Sequence, residues 1–144
     1  MTGIDPRGPR FTAGVTLLVL AAALLISDAS PAVVAAITGG QAVLFAVGAG
    51  LGVHRTPTGL LFRRVVRPRL APPEHLEDPA PPRFAQAVGL VFAVVATIGF
   101  AAGAVLLGQV ATGLALAAAL LNAFFGFCLG CEMYLLGARM RRTA

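Results

Sequence analysis

Four long apolar runs, separated by short polar or proline-rich joints, leave this chain few ways to fold. They cover residues 11–27, 31–53, 84–107 and 112–137. A helix needs roughly 20 apolar residues to cross a hydrocarbon layer about 30 Å thick. Lipid offers no partner to backbone N–H and C=O groups, so a crossing segment of this kind satisfies them within its own helix. No run holds an internal proline, and Pro31 falls at a helix start, where its missing N–H costs nothing. Only 12% of the 144 residues are charged, against about 25% in soluble domains. Too little polar surface remains to coat a water-soluble globule. The 17 glycines suit helices that approach closely in lipid. These features predict an all-α integral membrane four-helix bundle, a single transmembrane domain over residues 1–144.

Charge orients the bundle. All 11 basic residues are arginine: Arg7 and Arg10 precede the first run, six lie in the 54–83 loop, and Arg139, Arg141 and Arg142 close the chain. Neither the Asp28-Ala29-Ser30 turn nor the connection at 108–112 carries one. The positive-inside bias therefore places both termini and the 54–83 loop in the cytoplasm, with the protein a multi-pass resident of the cell membrane. Basic groups that flank lipid-spanning runs, and do not cluster on a soluble module, argue against nucleic-acid binding. Within the loop, Leu60-Leu61-Phe62-Arg63-Arg64-Val65-Val66-Arg67 places its arginines opposite its apolar side chains. That pattern predicts a short amphipathic helix in the interface. The first run, with its leading arginines and trailing Ser27-Asp28-Ala29, also has the outline of a signal peptide. An internal repeat argues that it is a retained span.

Asp5-Pro6-Arg7-Gly8-Pro9-Arg10-Phe11 returns as Asp78-Pro79-Ala80-Pro81-Pro82-Arg83-Phe84, 73 residues on. Each copy leads into an apolar run, so the chain reads as two parallel two-helix repeats about an axis along the membrane normal. In the second helices, the glycine pattern of 48–54 aligns with 126–132 at an offset of 78, which makes His54 the counterpart of Glu132.

The chain's two cysteines, Cys128 and Cys131, stand in Phe127-Cys128-Leu129-Gly130-Cys131-Glu132. On a helix this spacing puts both sulfurs on one face. The arrangement permits thiol–disulfide chemistry or half a metal site. Cysteine is also an ordinary small residue in buried helices. Cys131, nearer the cytoplasm on a continuous fourth span, is expected to be the attacking thiol, with Cys128 resolving. Glu132 is expected to modulate protonation, or to pair with Arg55 or Arg139. His54 would complete a weaker, metal-binding alternative with Cys128 and Cys131. No cofactor is implied. Beside the lipid bilayer, a second copy of the chain is a candidate partner. Against the dithiol reading stand a non-catalytic scaffold or accessory subunit held by glycine-mediated contacts, and a small transporter.

The Asp-Pro-x-x-Pro-Arg-Phe lead-in, Leu61-Phe62-Arg63-Arg64-x-x-Arg67-Pro68, Pro81-Pro82-Arg83-Phe84-Ala85-Gln86 and Phe127-Cys128-Leu129-Gly130-Cys131 together resemble the bacterial membrane proteins grouped as domain of unknown function 4395. The resemblance covers nearly the whole chain. It implies a four-helix membrane protein of actinobacterial type, encoded near thioredoxin-like proteins and rhodanese-type sulfurtransferases. It thereby implies a dithiol that exchanges electrons or sulfane sulfur with such a cytoplasmic partner. A looser analogy runs to four-helix thiol oxidoreductases of the vitamin K epoxide reductase kind. Those use a second cysteine pair, which this chain lacks.

Overall fold

The computed structural model describes residues 3–144 and contains six α-helices: α1 (Arg7–Leu25), α2 (Pro31–Leu51), α3 (Pro57–Leu61), α4 (Ala80–Ala101), α5 (Val105–Phe125) and α6 (Leu129–Thr143). Four of them, α1, α2, α4 and α5, are long and apolar enough to cross a membrane. The all-α, four-span architecture is therefore as expected. Helix α3 continues through a π-turn at Phe62–Val66 and a 3-10 turn at Arg67–Arg69. Helical backbone thus runs through the arginine-rich stretch that the amphipathic pattern marks.

The second half departs from the expected boundaries. The third span, expected at 84–107, is Ala80–Ala101, and the fourth, expected at 112–137, is Val105–Phe125. Gly108, Gln109 and Thr112 look like a polar connection in sequence, yet all three lie inside α5. Gln109 donates to Ser27 Oγ at 3.0 Å and to Asp28 Oδ1 at 2.9 Å, and Thr112 Oγ1 donates back to the Gly108 carbonyl at 2.8 Å. Polar side chains satisfied in this way are compatible with a helix in lipid. The actual turn uses Gly103, at φ 81°. Gly126, at φ 66°, then ends α5 in the left-handed conformation that glycine enters without a Cβ penalty. The residues beyond it start a separate helix.

The repeat is present, in a different register. Ile4 and Glu77, equivalent positions of the two halves, exchange backbone hydrogen bonds, each 2.9 Å. Such a reciprocal pair is what a two-fold axis running between them produces. Asp5 accepts from the Arg7 N–H at 3.0 Å and Asp78 from the Ala80 N–H at 2.9 Å, so each lead-in starts its helix by the same turn. Arg10 donates to the Ala123 carbonyl at the end of α5, and Arg83 to the Ala49 and Gly50 carbonyls at the end of α2. Phe11 stacks on Phe62 at 5.8 Å between ring centroids, and Phe84 on Tyr134 at 5.9 Å. These pairs set α1 beside α5 and α2 beside α4, with the starts of α1 and α4 and the ends of α2 and α5 at one end of the bundle.

The same equivalences correct the 78-residue offset. Gly52, at φ 98°, ends α2 as Gly126 ends α5. The segment after Gly52 (α3 and its turns) therefore corresponds to α6, which begins two residues sooner after its glycine, and with Phe62 matched to Tyr134 the counterpart of Glu132 is Leu60, not His54. Each half comprises two spans, a glycine break and a capped helix.

Small and hydroxylated residues fill the interior. Ala23, Val34, Ala96, Phe100 and Ala111 form a buried cluster toward the arginine-free end. Gly89 admits the Phe45 ring, and Gly48 the Gln86 side chain, where α2 meets α4. Thr97 donates to Thr38 at 3.0 Å across the same pair. Close approach of this kind is how helices associate where lipid removes the hydrophobic drive.

Candidate functional site

The cysteines sit at a helix start, outside any span. Cys128 is the N-cap of α6, extended at φ −92° and ψ 104°, and its Sγ accepts the backbone N–H of Cys131 at 3.3 Å. Its Cα lies 5.2 Å from that of Cys131, and the two side chains are joined in a disulfide. A regular helix interior resists such a bridge. The extended cap residue supplies the geometry that the expected continuous span would have denied.

The counterpart in the first half explains the form of this cap. Thr56 is the N-cap of α3, and its Oγ1 accepts the Gly59 N–H at 3.1 Å. Cys128 occupies the Thr56 position, and Cys131 that of Gly59. Gly130 replaces Thr58, which bonds Thr12 at 3.2 Å in the first half. In the second half there is no room for a side chain: a Cβ on Gly130 would lie 2.6 Å from the Cα and Cβ of Ala85. One half thus carries a threonine cap and the other a sulfur pair on the same backbone.

Both cysteines are half-buried, whereas Phe127, Leu129 and Glu132 are exposed. Glu132 lies in the first turn of α6 and makes no ion pair with Arg55 or Arg139 among the described residues. Its carboxylate faces outward, at the helix end where negative charge is favoured. Arg10, which in sequence has the look of a simple interfacial anchor, reaches the end of α5 at Gly126, two residues before Cys128. Its guanidinium lies 3.5 Å from where a Cβ of Gly126 would stand, beside the Ala123 carbonyl to which it donates. The repeat holds the signal for this role, because Arg83 treats the end of α2 in the same way.

On the bundle side, Cys128 and Gly130 line a largely apolar cavity of about 310 Å³ with Thr16, Phe45, Gln86 and Asn122.

His54 stands apart from the cysteines. It belongs to the 3-10 turn Val53–Arg55, its ring packs over Gly52, and its Nδ1 is buried with no hydrogen-bond partner. Burial, and then the charges of Arg55, Arg63 and Arg83, hold this imidazole below its ordinary titration range. No three His, Cys, Asp or Glu side chains come together as a metal site among the described residues, so the Cys128–Cys131–His54 alternative has no geometric basis.

With four apolar spans in two repeats and a cysteine-capped sixth helix, the class is that of a multi-pass helical membrane protein. The chain belongs to the family described as domain of unknown function (DUF4395), which matches residues 4–139. No characterised protein and no solved structure compared with it matches.

Proposed function

We propose that this chain is a membrane-embedded dithiol protein. Cys128 and Cys131 exchange electrons or sulfane sulfur with a thioredoxin-like or rhodanese-like partner at the arginine-rich face, which the positive-inside bias makes cytoplasmic. The observation that carries the reading is the placement of the chain's whole cysteine content across the first turn of α6, with Cys128 as cap. A sulfur at a helix N-terminus that accepts a backbone N–H is favoured as thiolate. Proximity to water along the chain favours Cys131 as the attacking thiol. The cap favours Cys128, and we assign the attack to Cys128.

In the electron-transfer direction, the Cys128 thiolate attacks a partner disulfide. A mixed disulfide forms and one partner thiolate leaves. Cys131 then loses its proton to water and attacks the Cys128 sulfur. This closes the intramolecular disulfide and releases the second partner thiolate, so two electrons have passed to the partner. With a persulfide donor, the Cys128 thiolate attacks the outer sulfur and the donor thiolate leaves; attack by Cys131 on the Cys128 sulfur then releases hydrosulfide as the disulfide closes. Glu132, exposed beside the pair, raises the electrostatic cost of the thiolate and is screened by solvent.

Replacing the resolving thiol tests the assignment. Cys131→Ser in cells should accumulate a disulfide-linked adduct on Cys128 with a cytoplasmic protein carrying a reactive cysteine. Cys128→Ser should accumulate little. Absence of an adduct from both variants, with both present in the membrane, would remove the basis for the reading.

A further inference from the structure

A second cavity, of about 430 Å³, lies at the same end of the bundle on the first-half side. Its walls include His54, Arg63, Arg67 and Arg83, with Gly8, Gly59 and Phe62 beneath. Asp5 also contributes to the lining, but its carboxylate is already engaged. Arg7 holds it through Nε at 3.0 Å, Nη2 at 2.8 Å and the backbone N–H at 3.0 Å. The guanidiniums of Arg63 and Arg67 meet no carboxylate within ion-pair distance among the described residues. Arg83 spends part of its fork on the Ala49 and Gly50 carbonyls. A guanidinium has five N–H donors, so others remain for a ligand. Three arginine cations therefore face a concavity whose one carboxylate is neutralised from outside it.

The floor is closely packed. A Cβ on Gly8 would meet the Phe62 ring at 3.4 Å, and one on Gly59 would collide with the Val53 carbonyl. Phe62 itself is only 3% exposed. Arg63 and Arg67 are thus carried on backbone turns anchored by a buried ring, and Arg83 on the first turn of α4. The equivalent region of the second half carries Tyr134 where Phe62 stands, and Leu135 and Arg139 where Arg63 and Arg67 stand, so this cationic concavity is a property of one half.

We propose that this cavity binds a phosphate group, with Arg63, Arg67 and Arg83 as its ligands. Arginine forks match the geometry of phosphate oxygens. The group has two possible sources at this depth, the headgroup of an anionic phospholipid and a free phosphate from the cytoplasm. The site does not depend on the cysteine chemistry.

The test uses the purified full chain, the variant Arg63→Gln with Arg67→Gln, and the variant Arg139→Gln with Arg142→Gln. The second variant removes the same charge from a helix outside the cavity. Retention of phosphatidylglycerol against phosphatidylcholine is read by native mass spectrometry. Binding of inorganic phosphate is read by calorimetry against chloride of matched ionic strength. Interfacial arginines contribute roughly a factor of five each to anionic-lipid binding, so the cavity variant should bind about thirtyfold more weakly. The α6 variant, whose arginines lie outside the cavity, should lose much less. Leu76→Glu, which adds a carboxylate to the exposed rim and leaves the arginines in place, should also weaken binding if the double variant does not fold. Preferential phosphatidylglycerol retention identifies the headgroup as source, and a phosphate isotherm without it identifies the free anion. Equal losses in the cavity and α6 variants, or no binding of either probe by the wild-type chain, would overturn the proposal.

Discussion

Two glycines on α6 should respond in opposite directions to the same substitution, Gly→Ala. In a helix interior the change gains up to about 1 kcal/mol from backbone entropy and helix propensity. At Gly137 nothing lies within 4 Å of the new methyl group, so that gain should appear as raised stability. At Gly130 the methyl group would stand 2.6 Å from the Cα and Cβ of Ala85. The obstacle is the backbone of α4, which cannot rotate away, so α6 must lift from α4. Overpacking of this sort costs about 1–3 kcal/mol, which leaves a net loss of roughly 0–3 kcal/mol at Gly130. The two variants should therefore differ by roughly 1–3 kcal/mol, with Gly130→Ala the less stable. Reversible unfolding in mixed micelles, followed by circular dichroism, measures both. Displacement of α6 also moves the cysteine turn, so Gly130→Ala should alter the reactivity of Cys128, and Gly137→Ala should not. Equal stability of the two variants would mean that α6 is not seated on Ala85 and that the packing described for this half is wrong.

The architecture fixes two further outcomes. The folded state holds His54 below its ordinary value of 6.5, chiefly by burial, so the unfolded chain binds the proton more readily. The stability tied to a neutral His54 is complete above about pH 6.5 and declines as pH falls toward the lowered folded value, and His54→Gln should flatten that decline in unfolding measured across the range. For topology, single cysteines at Ala29 and Ala102 in a Cys128→Ser, Cys131→Ser background should react with an impermeant maleimide from outside intact cells, and one at His75 should not; labelling at His75 would reverse the orientation.

Much of the fold is legible in the sequence because lipid imposes a simple rule. Apolar length and the absence of internal proline suffice to identify four spans, and the Asp-Pro-x-x-Pro-Arg-Phe lead-ins suffice to identify two parallel halves. The boundaries of the second half are not legible in the same way. Gln109 and Thr112 read as a loop because their partners, Ser27, Asp28 and the Gly108 carbonyl, are brought to them only by folding. The apolar residues after Phe125 read as more span, since hydropathy does not register a glycine at positive φ. Gly126 alone separates a cysteine pair inside a membrane helix from one capping a surface helix. The register of the second helices is misread for a related reason. Glycine-rich segments align equally well at several offsets, whereas the paired contacts Phe11–Phe62 and Phe84–Tyr134 admit one. The equivalence of Thr56 with Cys128 depends on that register, and so does the reach of Arg10 to the end of α5 at Gly126.

Whether the cap makes Cys128 the reactive thiol decides between a working dithiol and a passive one. The direct measurement is the alkylation rate of each cysteine in the reduced, detergent-solubilised chain as a function of pH, resolved by peptide mass spectrometry. The helix-start hydrogen bond to its sulfur should make Cys128 the more reactive thiol at neutral pH. Arg10→Gln should narrow that difference. Faster reaction at Cys131 would contradict the assignment of the attack to Cys128, and slow reaction at both cysteines with no effect of Arg10→Gln would contradict the dithiol reading and leave the pair as a structural staple at the start of α6.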